Sequence, residues 1–197
     1  MNIKKLFIFL FFLNLSFNFP VHSLEPDVFV QSTVNRASQI LSKNITKEEK
    51  INELKSIAKE TVDIKAVGFY SLGSKRKDLN DKEKSQYLDL FESYFLKSFS
   101  SRLAEYTNPE IEVKEKEVLN KNYTMVKSIL VATSERPEVK INWRVYTKNR
   151  DNPLIRDLII EGLSLARTQK EEFASILSSN NNDINILIEK LEEFIKN

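Results

Sequence analysis

Apolar positions recur along this chain at two periods, helical at both ends and alternating in the middle. Over residues 24–43, Val28, Val30 or Gln31, Val34, Ala37 or Ser38, and Leu41 fall at roughly helical spacing. Thr46 followed by Glu49 predicts a capping box that opens a second helix, with Ile51, Leu54, Ile57, Ala58 and Val62 as its stripe. Asp63 can cap a short helix carrying Ile64, Val67, Phe69 or Tyr70, and Leu72, which Gly73 ends in the manner of a C′ glycine. Asn80 with Glu83 predicts the start of the longest helix, over about residues 81–106. Along it Tyr87, Phe91, Tyr94, Phe95, Phe99, Leu103 and Tyr106 recur at spacings of three and four. Each stripe fits a core. The aromatic one is bulkier than a single sheet contact requires, so it also fits one wall of an apolar cavity.

After Asn108-Pro109 the period changes to two. Ile111 and Val113 alternate with charged residues in a strand that Val118 and Leu119 end. Asn120-Lys121-Asn122 is a turn, and 123–133 a second strand. A third strand puts Val139, Ile141, Trp143 and Val145 on one face, with Lys140, Asn142, Arg144 and Tyr146 on the other. A polar turn over 147–153 leads to a fourth strand, 154–160, interrupted by Arg156 and Asp157 and ended by Glu161-Gly162. Ser164 can cap a helix reaching residue 177. Past the polar joint 178–182, Ile184, Leu187, Ile188, Leu191 and Ile195 make a last amphipathic helix. Short turns imply an antiparallel meander. The expected fold is therefore α+β, a twisted four-stranded antiparallel sheet packed with helices.

The amino terminus reads differently. Lys4 and Lys5 precede an apolar run over 6–13, and Val21-His22-Ser23 offers a cleavage site. This is the pattern of a cleavable signal peptide over residues 1–23, followed by one domain over 24–197. The run is short for a membrane span, and no Cys stands at the cleavage site to carry a lipid. Export would remove Lys4 and Lys5 from the 30 basic residues, leaving 28 against 28 acidic ones. A formally neutral chain gives phosphate backbones no net field, so nucleic acid is not an expected partner.

The chain has no Cys, and its single His is His22, in the leader. Thiolate nucleophiles, histidine triads and the usual zinc sites are thereby excluded from the mature chain. With three Gly and no phosphate-binding or hydrolase motif, nothing suggests a cofactor or metal, and no catalytic residue is assigned. Asp157 and Glu161 share a strand parity beside apolar residues and could form a catalytic carboxylate pair. The reading preferred on chemistry is structural: Asp157 paired with Arg144 or Arg156, and Glu161 as a strand-end acceptor.

What the chain has in excess is apolar surface converging on one place. The helices are expected to contribute Val67, Leu72, Phe91, Phe95 and Phe99 to a cavity. The sheet is expected to contribute Val131, Val139, Ile141, Trp143, Val145, Leu158 and Ile160. In an exported protein without catalytic equipment, the ligand that suits such a cavity is lipid. The basic run Lys75, Arg76 and Lys77, with Arg144, is a candidate headgroup or partner surface.

Two segments carry a family resemblance. One spans 63–103: Asp63-Ile64, Val67, Leu72-Gly73, then Phe91, Tyr94, Phe99 and Leu103. The other has Trp143-Arg144, a turn, Asp157, and Ile160-Glu161-Gly162-Leu163-Ser164-Leu165, with Gln169 and Phe173 following. In order and spacing they resemble the MlaC family, also called the toluene-tolerance family. Asn152-Pro153-Leu154 and Arg156 depart from its usual residues before the last strand. The resemblance implies a sheet related to the NTF2-like type and a periplasmic phospholipid carrier, expected to act as a monomer. Its implied partners are an inner-membrane ABC transporter complex with an MCE domain and an outer-membrane lipoprotein complex, with outer-membrane lipid asymmetry as the outcome. Two other readings stand beside it: a carboxylate-dependent enzyme in the same cavity, and an adaptor whose apolar face binds a protein.

Overall fold

The computed structural model describes residues 24–197, and the signal-peptide expectation lies outside the described residues. The helices begin where their caps dictate. Pro26 and Asp27 occupy the first turn of α1 (Pro26–Ser42), which has no side-chain cap. Thr46 and Glu49 form a reciprocal capping box ahead of α2 (Lys47–Thr61). The Asp63 carboxylate accepts from the Ala66 N–H at the start of α3 (Ile64–Ser71). Gly73, at φ +57°, then turns the chain into a short 3-10 segment, Gly73–Lys77. Asn80 and Glu83 form a second capping box for α4 (Asp81–Leu103). This helix stops short of Tyr106, with Ala104 as its C-cap. Ser164 caps α5 (Leu165–Ser178), and Asp183 caps α6 (Ile184–Lys196).

The strands are β1 (Ile111–Asn120), β2 (Tyr123–Leu130), β3 (Val139–Tyr146), β4 (Leu154–Ile160) and a two-residue β5 (Leu163–Ser164). They form one antiparallel sheet in sequence order. The four-stranded expectation thus gains a fifth strand. Its cause is local. Glu161 (φ +48°) and Gly162 (φ +84°) are both left-handed, which is the geometry of a two-residue hairpin turn, and Ile160 pairs with Leu163 across it. The backbone N–H of Glu161 donates to the Lys140 carbonyl, and its carboxylate accepts from the Lys140 N–H, tying this strained residue to β3.

Helices cover the inner face of the sheet. Helix α1 lies across β1 and β2, while α3 and α5 meet β4. The long α4 packs chiefly on α2, α3 and α6 rather than on the sheet. Buried apolar side chains accordingly form three clusters instead of one. Tyr87, Phe91, Phe173 and Leu187 centre the first, among the helices. Phe29, Val30, Val126, Trp143 and Val145 centre the second, between α1 and the sheet. Ile40, Leu41, Leu54 and Ile57 make the third, between α1 and α2. A small domain ordinarily fuses such clusters into one core.

The helical cluster is tight enough to test. On exposed helical positions Gly→Ala gains about 1 kcal/mol from propensity. At Gly68 an added Cβ would lie 2.8 Å from Cδ1 of Phe91 and 3.2 Å from Cδ2 of Leu88. Phe91 is 1% exposed and wedged edge-on against Phe173. The Tyr87 hydroxyl, which donates to the Gly68 carbonyl at 3.0 Å, fixes the approach of the two helices. Overpacking should outweigh propensity, so Gly68→Ala is expected to lose about 1–2 kcal/mol. The reading is a lower urea midpoint at unchanged slope. A stabilised variant would show that Phe91 is free to move.

Candidate functional site

Where the three clusters fail to meet, two apolar chambers lie side by side. The outer one, about 200 Å³, sits between α4, β4 and α5. Phe95 and Phe99 form its roof, stacked at 5.5 Å with 10° between their planes. Ile155 and Leu158 form its floor, with Val62 and Val67 at one side. Its rim is polar or exposed: Arg102, Leu165, Thr168, Gln169 and Glu172. Tyr94 closes part of that rim by donating its hydroxyl to Oε1 of Gln169 at 2.8 Å. Burial, helped by the nearby Glu172 charge, pushes the Tyr94 phenol above its ordinary value, so it stays a neutral donor.

The inner chamber, about 140 Å³, lies under α1 and α2. Val34, Leu41, Leu54 and Ile57 face Ile141, Trp143 and Ile160 of the sheet across it. Its threonine and serine hydroxyls are spent on backbone carbonyls: Thr33 on Phe29, Thr61 on Ile57, and Ser38 on Pro109, at 2.7–2.8 Å, while Tyr106 brings a phenol to its edge. Trp143 donates its Nε1–H to Ser128 Oγ, which donates in turn to the Ile141 carbonyl. With those groups satisfied, the walls around them offer a ligand chiefly hydrocarbon. Val62, Phe99, Ile155 and Leu158 border both chambers and are all that divides them. Each chamber is smaller than the ~300–1,000 Å³ of ordinary ligand pockets, and the two together reach the low end of that range.

Of the residues expected in the cavity, Val67, Phe95, Phe99, Ile141, Trp143, Leu158 and Ile160 border these chambers. The others are placed elsewhere. Phe91 and Leu72 belong to the helical cluster behind the roof, because Phe91 turns toward Tyr87 and Phe173. Val145 is wholly buried in the cluster beneath α1, and Val139 packs against that cluster at the sheet's end. Val131 lies just past β2, where its N–H donates to the Glu110 carbonyl. Sequence reasoning missed Val62, Ile155 and Leu165, and gave no wall role to the α1 and α2 stripes.

The carboxylates take structural roles. The Asp157 side chain, 2% exposed, accepts from Ser164 Oγ at 2.7 Å and from the Ala166 N–H at 3.0 Å, with Nη1 of Arg144 at 3.5 Å. It therefore ties β3, β4 and the amino end of α5 together, where the helix dipole favours a negative charge. Glu161 lies on the exposed hairpin turn and borders neither chamber. Arg156 is paired not with Asp157 but with Asp63, at 2.7 Å. It also donates to the Tyr123 hydroxyl and lies 3.5 Å over the Tyr146 ring. In the basic run, Lys75 leans toward Asp78 at 3.9 Å, while Arg76 borders a separate cleft that Arg144 also lines. Lys75 and Lys77 border neither that cleft nor the chambers.

An antiparallel sheet roofed by helices, with hydrocarbon-lined chambers and a polar rim, defines an α+β binding domain for an apolar ligand. Residues 31–193 match the family model described as MlaC protein, and the chain belongs to that family. Among solved structures it is similar to the phospholipid-binding protein from Ralstonia solanacearum in complex with a phospholipid. The TM-score is 0.73 at 18% identity, over 86% of this chain and 96% of that one. No curated protein sequence matches. Among the described residues, no helix is long and apolar enough to cross a membrane.

Proposed function

We propose that this protein is a periplasmic phospholipid carrier that moves lipid between inner- and outer-membrane complexes and so maintains outer-membrane lipid asymmetry. The observation that carries this reading is the pair of adjoining chambers walled mainly by apolar side chains, with the polar groups of the outer one gathered at its rim. Such walls reward acyl chains at about 0.8 kcal/mol per buried CH₂. The solved relative, crystallised with a phospholipid, supports the same ligand class. The chambers are small for a diacyl lipid, so loading swings the half-buried Phe95 and Phe99 side chains of the roof outward. Closing again when empty offsets part of the tail affinity, which keeps transfer reversible. The signal-like start and the partners implied by the family complete the proposal. Binding rather than catalysis fits the structural use of Asp157 and Glu161.

The test is direct. The protein is expressed with its leader, recovered from the periplasm and extracted with organic solvent. Mass spectrometry is expected to find glycerophospholipid in near-stoichiometric amount. Folded protein carrying no phospholipid, and taking none up from vesicles, would overturn the reading.

A further inference from the structure

On the other side of the Arg156–Asp157 corner lies a third hollow, of about 690 Å³. Its lining includes Arg76, Arg144, Arg156, Tyr70, Tyr123 and Asn120. Three guanidinium groups thus face one space whose only lining carboxylate is Asp157. That carboxylate is already taken by Ser164 and the Ala166 N–H. Arg156 is taken as well, by Asp63 and Tyr123. Arg144 and Arg76 hold looser partners. Among the described residues, Arg144 has one acidic neighbour, Asp157, at 3.5 Å, and its side chain is 39% exposed. Arg76 makes a single long bond, 3.4 Å, to the Phe69 carbonyl.

The neutral groups add donors, not acceptors. Tyr123 oxygen already accepts from Arg156, so its O–H proton is left to point into the cleft. Asn120 spends its side-chain oxygen on the Asn122 N–H, which leaves its NH₂. Two guanidinium groups with few partners, joined by the Tyr123 O–H and the Asn120 NH₂, give this cleft the donor set of an oxyanion site. Arg156, Asp157 and Ala166 border both this cleft and the outer chamber, so the two are back to back.

We propose that Arg76 and Arg144 clamp a phosphate group in this cleft, with Tyr123 and Asn120 completing its shell. The ligand class is a phosphate mono- or diester. Its two sources are the headgroup of the lipid whose tails fill the chambers, or a free phosphate compound. The headgroup source rests on the carrier function proposed above, whereas the free-phosphate source does not.

The experiment titrates the whole delipidated protein with four probes: dihexanoyl phosphatidylglycerol, the phosphate-free dihexanoylglycerol, glycerol phosphate and inorganic phosphate. Wild type is expected to bind the phospholipid about tenfold tighter than its phosphate-free analogue, as charge-assisted hydrogen bonds of this kind allow. The preference should weaken with added salt. Arg76→Gln with Arg144→Gln is expected to abolish it while both probes still enter the chambers. Should Arg144→Gln fail to fold, Arg76→Gln alone carries the test, since that residue has only its one long bond to lose. If glycerol phosphate and inorganic phosphate bind as tightly as the phospholipid, and the variants lose all three, the cleft stands as a free-phosphate site. That result holds even if neither diacyl probe binds, in which case the carrier reading fails and the cleft does not. Equal binding of phospholipid and phosphate-free analogue with no binding of the free phosphates overturns the proposal. So does a preference that survives in the folded variants.

Discussion

Replacing Asp157 by alanine is expected to lower stability by about 3 kcal/mol, the largest effect of any single polar substitution in this domain. The size follows from what the carboxylate holds. It satisfies the Ala166 N–H at 3.0 Å, one of the unpaired donors at the start of α5, and Ala166 is itself buried. A buried donor left without a partner costs about 1–3 kcal/mol. The bond from Ser164 Oγ, at 2.7 Å, adds a second loss and frees the residue that caps the helix through the Arg167 N–H. The contact with the half-exposed Arg144 adds little, because solvent screens it. For a domain of this size each kcal/mol moves the melting temperature by about 2–4 °C, so a drop of about 6–12 °C is expected. Asp157→Asn should fall between, since it keeps one acceptor oxygen. The check is a pair of thermal and urea melts. A loss under about 1 kcal/mol would show that water replaces the carboxylate at the end of α5.

The same corner shows where the sequence was legible and where it was not. Both capping boxes were readable, because the Thr46/Glu49 and Asn80/Glu83 spacings encode their own hydrogen bonds. The meander was readable from its turns, and the β3 face from strict alternation. Strand β4 defeated parity. Arg144 pairs with Asp157 but Val145 pairs with Ile155, which leaves Arg156 as an extra, unpaired residue. That bulge flips the faces, so Ile155 points inward with Leu158 and Ile160 although the three do not share a parity. Ile155 was therefore missed as a chamber wall, and Asp157 and Glu161 looked more alike than they are.

Periodicity also cannot distinguish a packed face from an unfilled one. Phe91, Phe95 and Phe99 lie on one stripe of α4, yet Phe91 meets Phe173 and Tyr87 while its two followers roof a hollow. The difference is set by Phe173 of α5, which comes from the far end of the chain and fills the space against Phe91. Likewise the stripes of α1 and α2 are half core and half wall. Which half is which depends on where three clusters stop short of one another, a long-range property that no local pattern records.

Phe99 is the residue where that property can be tested, and Phe99→Asp is expected to cut co-purified phospholipid by about tenfold or more. Phe99 borders both chambers, so whatever occupies them passes its ring. A carboxylate facing Val62, Ile155 and Leu158 carries a desolvation penalty, reduced by the partial exposure of this position. Two routes relieve it, and both exclude lipid. Water can enter the chambers with the charge, which removes the gain from burying methylene groups. Alternatively Arg102, three residues on and at the chamber rim, can fold inward to pair with it and fill the space itself. The fold should survive, because Phe99 is only partly buried and packs at the edge of the helical cluster. Phe99→Leu keeps the wall apolar and should retain lipid. The measurement is phospholipid per protein in organic extracts of all three forms, beside their urea melts. A cooperatively folded Phe99→Asp variant with undiminished lipid would show that acyl chains do not cross this partition.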